Sequence, residues 1–586
     1  MFRPTDPQLS LMESRFLVSP KKRKRLERSW AEAFRTCVLP LIDEEAFREC
    51  FSADNGRPNQ SIRLLVGLHL LKEADDLTDE QILDALEFNI QWQHALGVEP
   101  ADAHVCEKTL HNFRHKLIEN ERAKAVFQQV TEALMKADGL SSVRQRLDST
   151  HIISNIAILT RLGLFTETVT NFMRELRKME AGKLAALDEG YAKRYLDREG
   201  YFADAKREQA QRRLPVVALD LYALVQAFKA DEVVCAWLSY GLMVRLLAEQ
   251  CEVVGEEGAE HPVTLKEPKD VRSDSLQSPH DPDATYGHKG KGYEAQITET
   301  CVKDNPYEVV TSLAINGAHV SDQGVAVPMI SDLIYRGIAP EAMLADTNYG
   351  SGENLAACAD MGVELLARVQ DPDAPSQQAR EEVPVEGATR AADAPDTATI
   401  ASEATSPVAP SGNADAAIAT SQGGEPLGLE AFRFTDAFHK IATCPGGQAP
   451  LRHQILNQHP GFKATFDGEV CATCPLLALC PTRRAADGNH TLRWRDVKAA
   501  TATRQREQQE PAFKEAYKLR SGIESTNAEI KGRHGAGDIR VRGGPRVEAA
   551  MFLKAAALNT KRAVQYHTEA LRIHQENNKP PIDARE

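Results

Sequence analysis

No run of eighteen uncharged apolar residues occurs in the 586-residue chain, so no segment has the length and hydropathy of a membrane-spanning helix. The stretch from Val233 to Val244 is too short to cross a bilayer and is expected to be a buried helix. The first residues, MFRPTDPQLSLMESRF, have no apolar core behind a basic start, and no secretory leader is expected. Cysteine is sparse, eleven in the whole chain, well below the density of a disulfide-stapled domain. These absences point to a soluble cytoplasmic protein with no membrane partner. Net positive charge is lacking too: the chain carries −14, which at first argues against a nucleic-acid partner.

That charge is unevenly placed. Residues 371–425 hold ten acidic side chains and two basic ones, whereas 504–562 hold thirteen Lys or Arg against seven acids. Local charge, not the total, bears on partners. The length implies two to four structural units. Residues 1–140 read as an all-helical domain. In it, SPKKRKRLER (19–28) is either a solvated tail or a phosphate contact. LTDEQILDALEF (77–88) carries a capping box, Thr78 with Gln81. EKTLHNFRHKL (107–117) sets Lys108, His111, Arg114 and His115 around a helix whose Leu110, Phe113 and Leu117 face inward. A helix-turn-helix-like DNA-binding module and a plain helical domain both satisfy this pattern.

Residues 141–370 read as an α/β unit with a helical insertion at about 152–280. A strand in SSVRQRLDSTH is expected to end on Asp148, and the apolar run EAMLADTNYG ends on Asp346. Strands are also expected at 293–300, 307–317 and 363–369. Residues 371–425 have almost no large apolar side chains and are expected to be a disordered acidic linker. Short strands and turns follow at 429–495, then a helical, basic part at 502–575.

YKLRSGIESTNAEIK (517–531) spaces Tyr517, Arg520, Glu524, Asn527 and Lys531 so that, on an α-helix, they share an arc of roughly 80°. Thr526 points the opposite way. The stripe is either an ordinary solvated face with an Arg520–Glu524 surface pair or part of a site. Two strand-end aspartates with a helical glutamate are the donor set that hard divalent cations take.

Asp148 in LDST, Asp346 in ADTNYG and the pattern Tyr517-x2-Arg520-x3-Glu524-x6-Lys531 resemble a bacterial insertion-sequence transposase of the DDE type, in its Tyr-Arg-Glu-Lys signature branch. The helical block of about 45–138 is similar to the domain preceding such cores, and DPDATYGHKGKGYEAQ to their second-strand region. The resemblance implies an RNase H-like α/β core, a mixed sheet flanked by helices. It further implies metal-dependent phosphoryl transfer on double-stranded DNA: cleavage at terminal inverted repeats, then attack of the freed 3′-OH on target DNA. Asp148, Asp346 and Glu524 would be catalytic and hold two Mg²⁺ ions, with Mn²⁺ able to substitute. Tyr517, Arg520 and Lys531, with Arg533, Arg540 and Arg542 in KGRHGAGDIRVRGGPR, would bind phosphates; a flexible basic loop is the plainer reading of that last segment. A homodimer or larger synaptic complex, nucleoid-associated in the cytoplasm, is implied as well.

Cys444, Cys471, Cys474 and Cys480, around CATCPLLALCP, have the makings of a four-thiolate structural Zn²⁺ site in a small cysteine-rich insertion, although the last interval is long; buried unligated thiols are the alternative. Trp494 either stacks on a flipped base or sits in a core. Besides a transposase, a hydrolytic DNA nuclease and an inactive DNA-binding derivative fit the sequence.

Overall fold

Strand β1 (Arg144–Ile152) is the organising element of the computed structural model, which describes residues 2–3, 19–52, 58–119, 121–156, 159–197, 207–255, 262–370, 425–457 and 460–577. The chain divides into two units, residues 1–367 with 511–586, and residues 368–510. The linker expected at 371–425 lies, apart from Glu425, outside the described residues.

In the first unit, β2 (Cys251–Val253) and β3 (Val263–Leu265) form a separate hairpin. The main sheet adds β4 (Thr285–Gly287), β5 (Gly290–Thr300), β6 (Val310–Gly317), β7 (Ala342–Ala345) and β8 (Glu364–Leu366) to β1, in the order β4-β5-β1-β7-β8 with β6 also on β5. β5 runs antiparallel to β1 and β6, whereas β1, β7 and β8 are parallel. The sheet is therefore mixed, with helices against it.

Asp148 does not end its strand as expected. It pairs with Ile297 in mid-strand, and the ladder with β5 continues to Ile152. Pairing with a long neighbour extends β1 past the point where local composition turns polar.

Five helices between Ile62 and Asp138 make the N-terminal bundle. Thr78 and Gln81 form the expected capping box, with reciprocal bonds of 2.8 and 3.2 Å. Leu110, Phe113 and Leu117 are buried as anticipated, and Arg114 is committed to Asp79 at 2.6 Å. The basic run at 19–28 contains a short helix, Pro20–Leu26, capped by Ser19. The bundle shares one apolar core with β5, β6 and the long C-terminal helix Gly544–Asn577, whose Ala555, Ala556 and Leu558 are buried. Asn559 of that helix bonds both backbone groups of Val310 at 2.8 Å, covering the edge strand β6. The insertion between β1 and β4 is helical with its own core around Phe165, Phe172 and Leu221. Val233–Val244 is not one buried helix. Asp231 caps a short turn, Glu232–Cys235, a second helix starts at Leu238, and Val233 and Leu238 are exposed.

The second unit pairs β9 (Arg433–Thr435) with β10 (Lys440–Thr443). A four-stranded antiparallel sheet comprises β11 (Arg452–Leu456), β12 (Gly461–Phe466), β13 (Arg483–Arg484) and β14 (His490–Trp494). Trp494 lies in this unit's core, its Nε1 donating to the Phe438 carbonyl at 2.8 Å, so it offers no face to a base.

One buried ionic cluster fixes the elements of the first unit. The Glu299 carboxylate on β5 is fully buried between Arg146 of β1 and Arg562 of the C-terminal helix, each at 2.6 Å. It also accepts from the Thr526 hydroxyl, and Arg562 reaches on to Glu529 at 3.1 Å. Removing one partner of such a group leaves the others charged, buried and unpaired. We expect Glu299→Ala to cost about 3 kcal/mol, read as an earlier urea transition of the far-UV circular dichroism. An unchanged transition would mean that the cluster contributes nothing to docking these elements.

Candidate active site

Parallel pairing brings the two aspartates together. Leu147 of β1 stands opposite Ala345, the last residue of β7, so the next residue in each case is the acid, Asp148 within β1 and Asp346 just past the end of β7. Neighbouring strands lie about 4.8 Å apart and residues in register share a face. Asp346 also caps the 3₁₀ turn Thr347–Tyr349, accepting the Asn348 N–H at 2.8 Å.

The polar stripe is not one continuous helix. A helix at Pro511–Tyr517 passes into a 3₁₀ turn at Lys518–Gly522, and an α-helix resumes at Ile523–Gly532. Thr526 faces the sheet as expected. Arg520, from the turn, lies between two acids: 3.7 Å from Asp148 Oδ1 and 3.5 Å from Glu524 Oε1. Asn527 donates to Asp148 Oδ2 at 3.1 Å, while its own Oδ1 is buried with no partner. Glu524 is about two-thirds exposed and reaches Asp148 through Arg520. Among the described residues, no set of three or more His, Cys, Asp or Glu side chains is arranged to hold a metal ion.

The other expected residues are spread along the same segment. Tyr517 stacks on Phe513 and packs beside Leu344 and Leu366. Arg533 pairs with Glu529 at 3.6 Å, and Arg540 with Asp76 at 2.7 Å while also donating to the carbonyls of Asp76 and Leu77. Lys531 is half-buried and Arg542 exposed. The loop that follows the glutamate helix is held at both ends. Ile539 donates to the Ile153 carbonyl at 2.9 Å, and the His534 carbonyl accepts from Lys554. Burial alone would raise the Glu73 carboxyl, but Lys554 and Lys72 hold it down at about 2.

Three neighbours of the aspartates went unnoticed in the sequence. Asp322, just after β6, accepts from Gln296 at 2.6 Å and from Ser149 at 3.3 Å. Tyr349, fully buried, donates to Gln296 Oε1. Lys289 donates to Ser149 at 3.2 Å and pairs with Glu294. Tyr349 and Lys289 stood within stretches singled out for other reasons, ADTNYG and DPDATYGHKGKGYEAQ, whereas nothing local marked Asp322.

In the second unit, Cys444, Cys471 and Cys480 pack against the core, and Cys474 joins them: a Cβ on Gly446 would sit 3.2 Å from Cys474 Sγ and 3.7 Å from Cys444 Sγ. Burial pushes the Cys471 thiol up, and the other three sulfurs add to it.

Burial raises Asp148 to about 6, against the pull of Arg520, with Asp346 adding to the rise; Asp346 is raised by burial and by Asp322. A carboxyl whose folded pKa lies above the unfolded value near 4 favours the fold only while protonated, and that contribution is lost as pH rises through about 6. In chelator, we expect Asp148→Asn to be more stable than the parent above pH 7, by ~2 kcal/mol, with the gap closing toward pH 4. Thermal unfolding across that range tests it; a gap independent of pH would contradict the assignment.

Residues 443–564 match a family described as "Transposase DDE domain", and residues 26–116 match "Transposase domain (DUF772)". Neither match includes Asp148 or Asp346. A curated Rhizobium meliloti protein, "Uncharacterized protein ORF8 in nfe locus", is 46% identical over 44 residues, 8% of this chain. The chain spans about a fifth of that relative's length (21%). No solved structure matches. Among the described residues, no helix is long and apolar enough to cross a membrane.

Proposed function

Because the chain belongs to the insertion-sequence transposases of the DDE type, we propose that it cuts DNA at the ends of its element and joins the freed 3′-OH to target DNA. The observation that carries this reading is the juxtaposition of Asp148, on β1, and Asp346, just past the end of the parallel neighbour β7, with Arg520 linking Asp148 to Glu524. An RNase H-like core is supported by the strand order and by β5 alone among β1, β5, β6, β7 and β8 running in the opposite sense. Partner DNA is supported by the basic segment 504–562, and self-association in a synaptic complex accompanies the family.

The donor chemistry fits a hard divalent cation: two adjacent carboxylates and the unpartnered amide oxygen of Asn527. Held by Asp148, Asp346 and Glu524, two Mg²⁺ ions (or Mn²⁺) would supply the positive charge that activates an attacking oxygen and neutralises a leaving one. Glu524 would turn from Arg520 toward the aspartates, freeing the guanidinium for a DNA phosphate. Lys531, Arg533 and Arg542 would line the phosphate path, with Tyr517 placed at its start. Arg540, engaged with Asp76, would hold the loop in place.

The full chain should cleave a labelled end fragment and join it to a plasmid. Glu524→Gln, Asp148→Asn and Asp346→Asn should each reduce cleavage by at least about 100-fold, and double variants should be no worse, because residues acting as a unit do not add. Robust cleavage by Glu524→Gln would overturn the assignment. Cleavage without joining would identify a hydrolytic nuclease instead.

A second metal is proposed at the cysteines, supported by Cys444 and Cys474 both lying beside Gly446 and by the effect of the other three sulfurs on Cys471. Cys444, Cys471, Cys474 and Cys480 would hold one structural Zn²⁺ with no open position for chemistry. Elemental analysis should find one zinc per chain, lost in the Cys471→Ser, Cys474→Ser double variant. Metal-free protein purified without chelator would contradict this.

A further inference from the structure

Beneath the two aspartates runs a chain of hydrogen bonds with a defined direction. Tyr349 Oη donates to Gln296 Oε1, and Gln296 Nε2 donates to Asp322 Oδ1 at 2.6 Å. An ionised carboxylate only accepts, so Asp322 forces the Gln296 amide nitrogen toward itself and the carbonyl toward Tyr349. Gln296 and Tyr349 are buried, which leaves the amide no water with which to exchange these partners. The second Asp322 oxygen accepts from Ser149, the residue after Asp148, at 3.3 Å. Tyr349 closes the 3₁₀ turn that Asp346 caps. One carboxylate thus connects to the backbone segments of both aspartates.

We propose that Asp322 is a positioning residue for the catalytic pair, acting through Gln296 and Tyr349 on Asp346 and through Ser149 on Asp148. This rests on the metal-binding reading of Asp148 and Asp346 given above. Asp322 makes no direct bond to either aspartate, so it aims the carboxylates, while its charge adds to the negative potential that draws a cation. Groups that orient metal ligands typically cost 10–100-fold in metal affinity when changed.

The test measures Mn²⁺ binding to the full chain without DNA, by electron paramagnetic resonance of the free ion, together with thermal unfolding. Asp322→Asn keeps the shape but can no longer accept two bonds without offering a donor. It should weaken Mn²⁺ binding about 10-fold or more with little change in unfolding temperature. Tyr349→Phe keeps the ring packing and removes the far end of the chain; it should weaken binding to a similar degree, and the double variant should be no worse than the weaker-binding single one. Should Asp322→Asn fold poorly, Tyr349→Phe still carries the test. Unchanged affinity in Tyr349→Phe, or multiplicative losses in the double variant, would overturn the proposal. So would complete loss in Asp322→Asn equal to that in Asp346→Asn, which would make Asp322 a ligand itself. Retention of Mn²⁺ binding by Asp346→Asn would instead overturn the metal-site reading on which the proposal rests.

Discussion

A fully buried carboxylate, Glu299, held by two guanidiniums, is the constraint on which the rest of the first unit depends. Charge this deep is tolerated only when each oxygen is satisfied, so Arg146, Arg562 and Thr526 must all be in place at once. Those three side chains come from β1, the C-terminal helix and the glutamate helix. Satisfying one carboxylate therefore docks two helices onto the sheet. Arg146 does more: its Nη1 donates to the Leu519 carbonyl at 3.2 Å, and a Cβ on Gly522 would collide with the guanidinium. The turn that aims Arg520 is held by the same arginine that neutralises the sheet.

From that anchor the site geometry follows by register. Residues 146 and 148 alternate onto one face of β1, so the strand that carries the clamp also carries the first aspartate, and parallel pairing brings the second beside it. Arg520 answers part of the like-charge problem that two adjacent half-buried carboxyls create. The remaining cost persists as a raised Asp148, the form expected of a site built to receive positive charge.

Features set by neighbours in sequence were legible. The Thr78–Gln81 capping box and the inward face of the 107–119 helix are local, and both are present. Asp148 and Asp346 were legible as motif residues, and Thr526 as facing away from the stripe. What depends on distant pairing was not. β1 runs on past Asp148 because β5 pairs with it to Ile152. The break at Lys518–Gly522 reflects Arg146, more than 370 residues away in sequence. Asp322 sits in a short 3₁₀ turn capped by Ser321, with no motif around it, and only the fold sets it beside Gln296. Trp494 was ambiguous because an aromatic residue reads alike in a core and on a nucleic-acid surface, and the β12–β14 pairing decided for the core.

On the proposed reading, Asp148, Asp346 and Glu524 converge on one cation site although they lie on three separate segments. Localised oxidative cutting of the polypeptide reads this directly: Fe²⁺ takes the place of Mg²⁺, and peroxide with ascorbate breaks the backbone near the bound ion. Cuts are expected close to residues 148, 346 and 524, all suppressed together by excess Mg²⁺. Cuts confined to the cysteine segment 444–480, or cuts near the aspartates with none near Glu524, would contradict it.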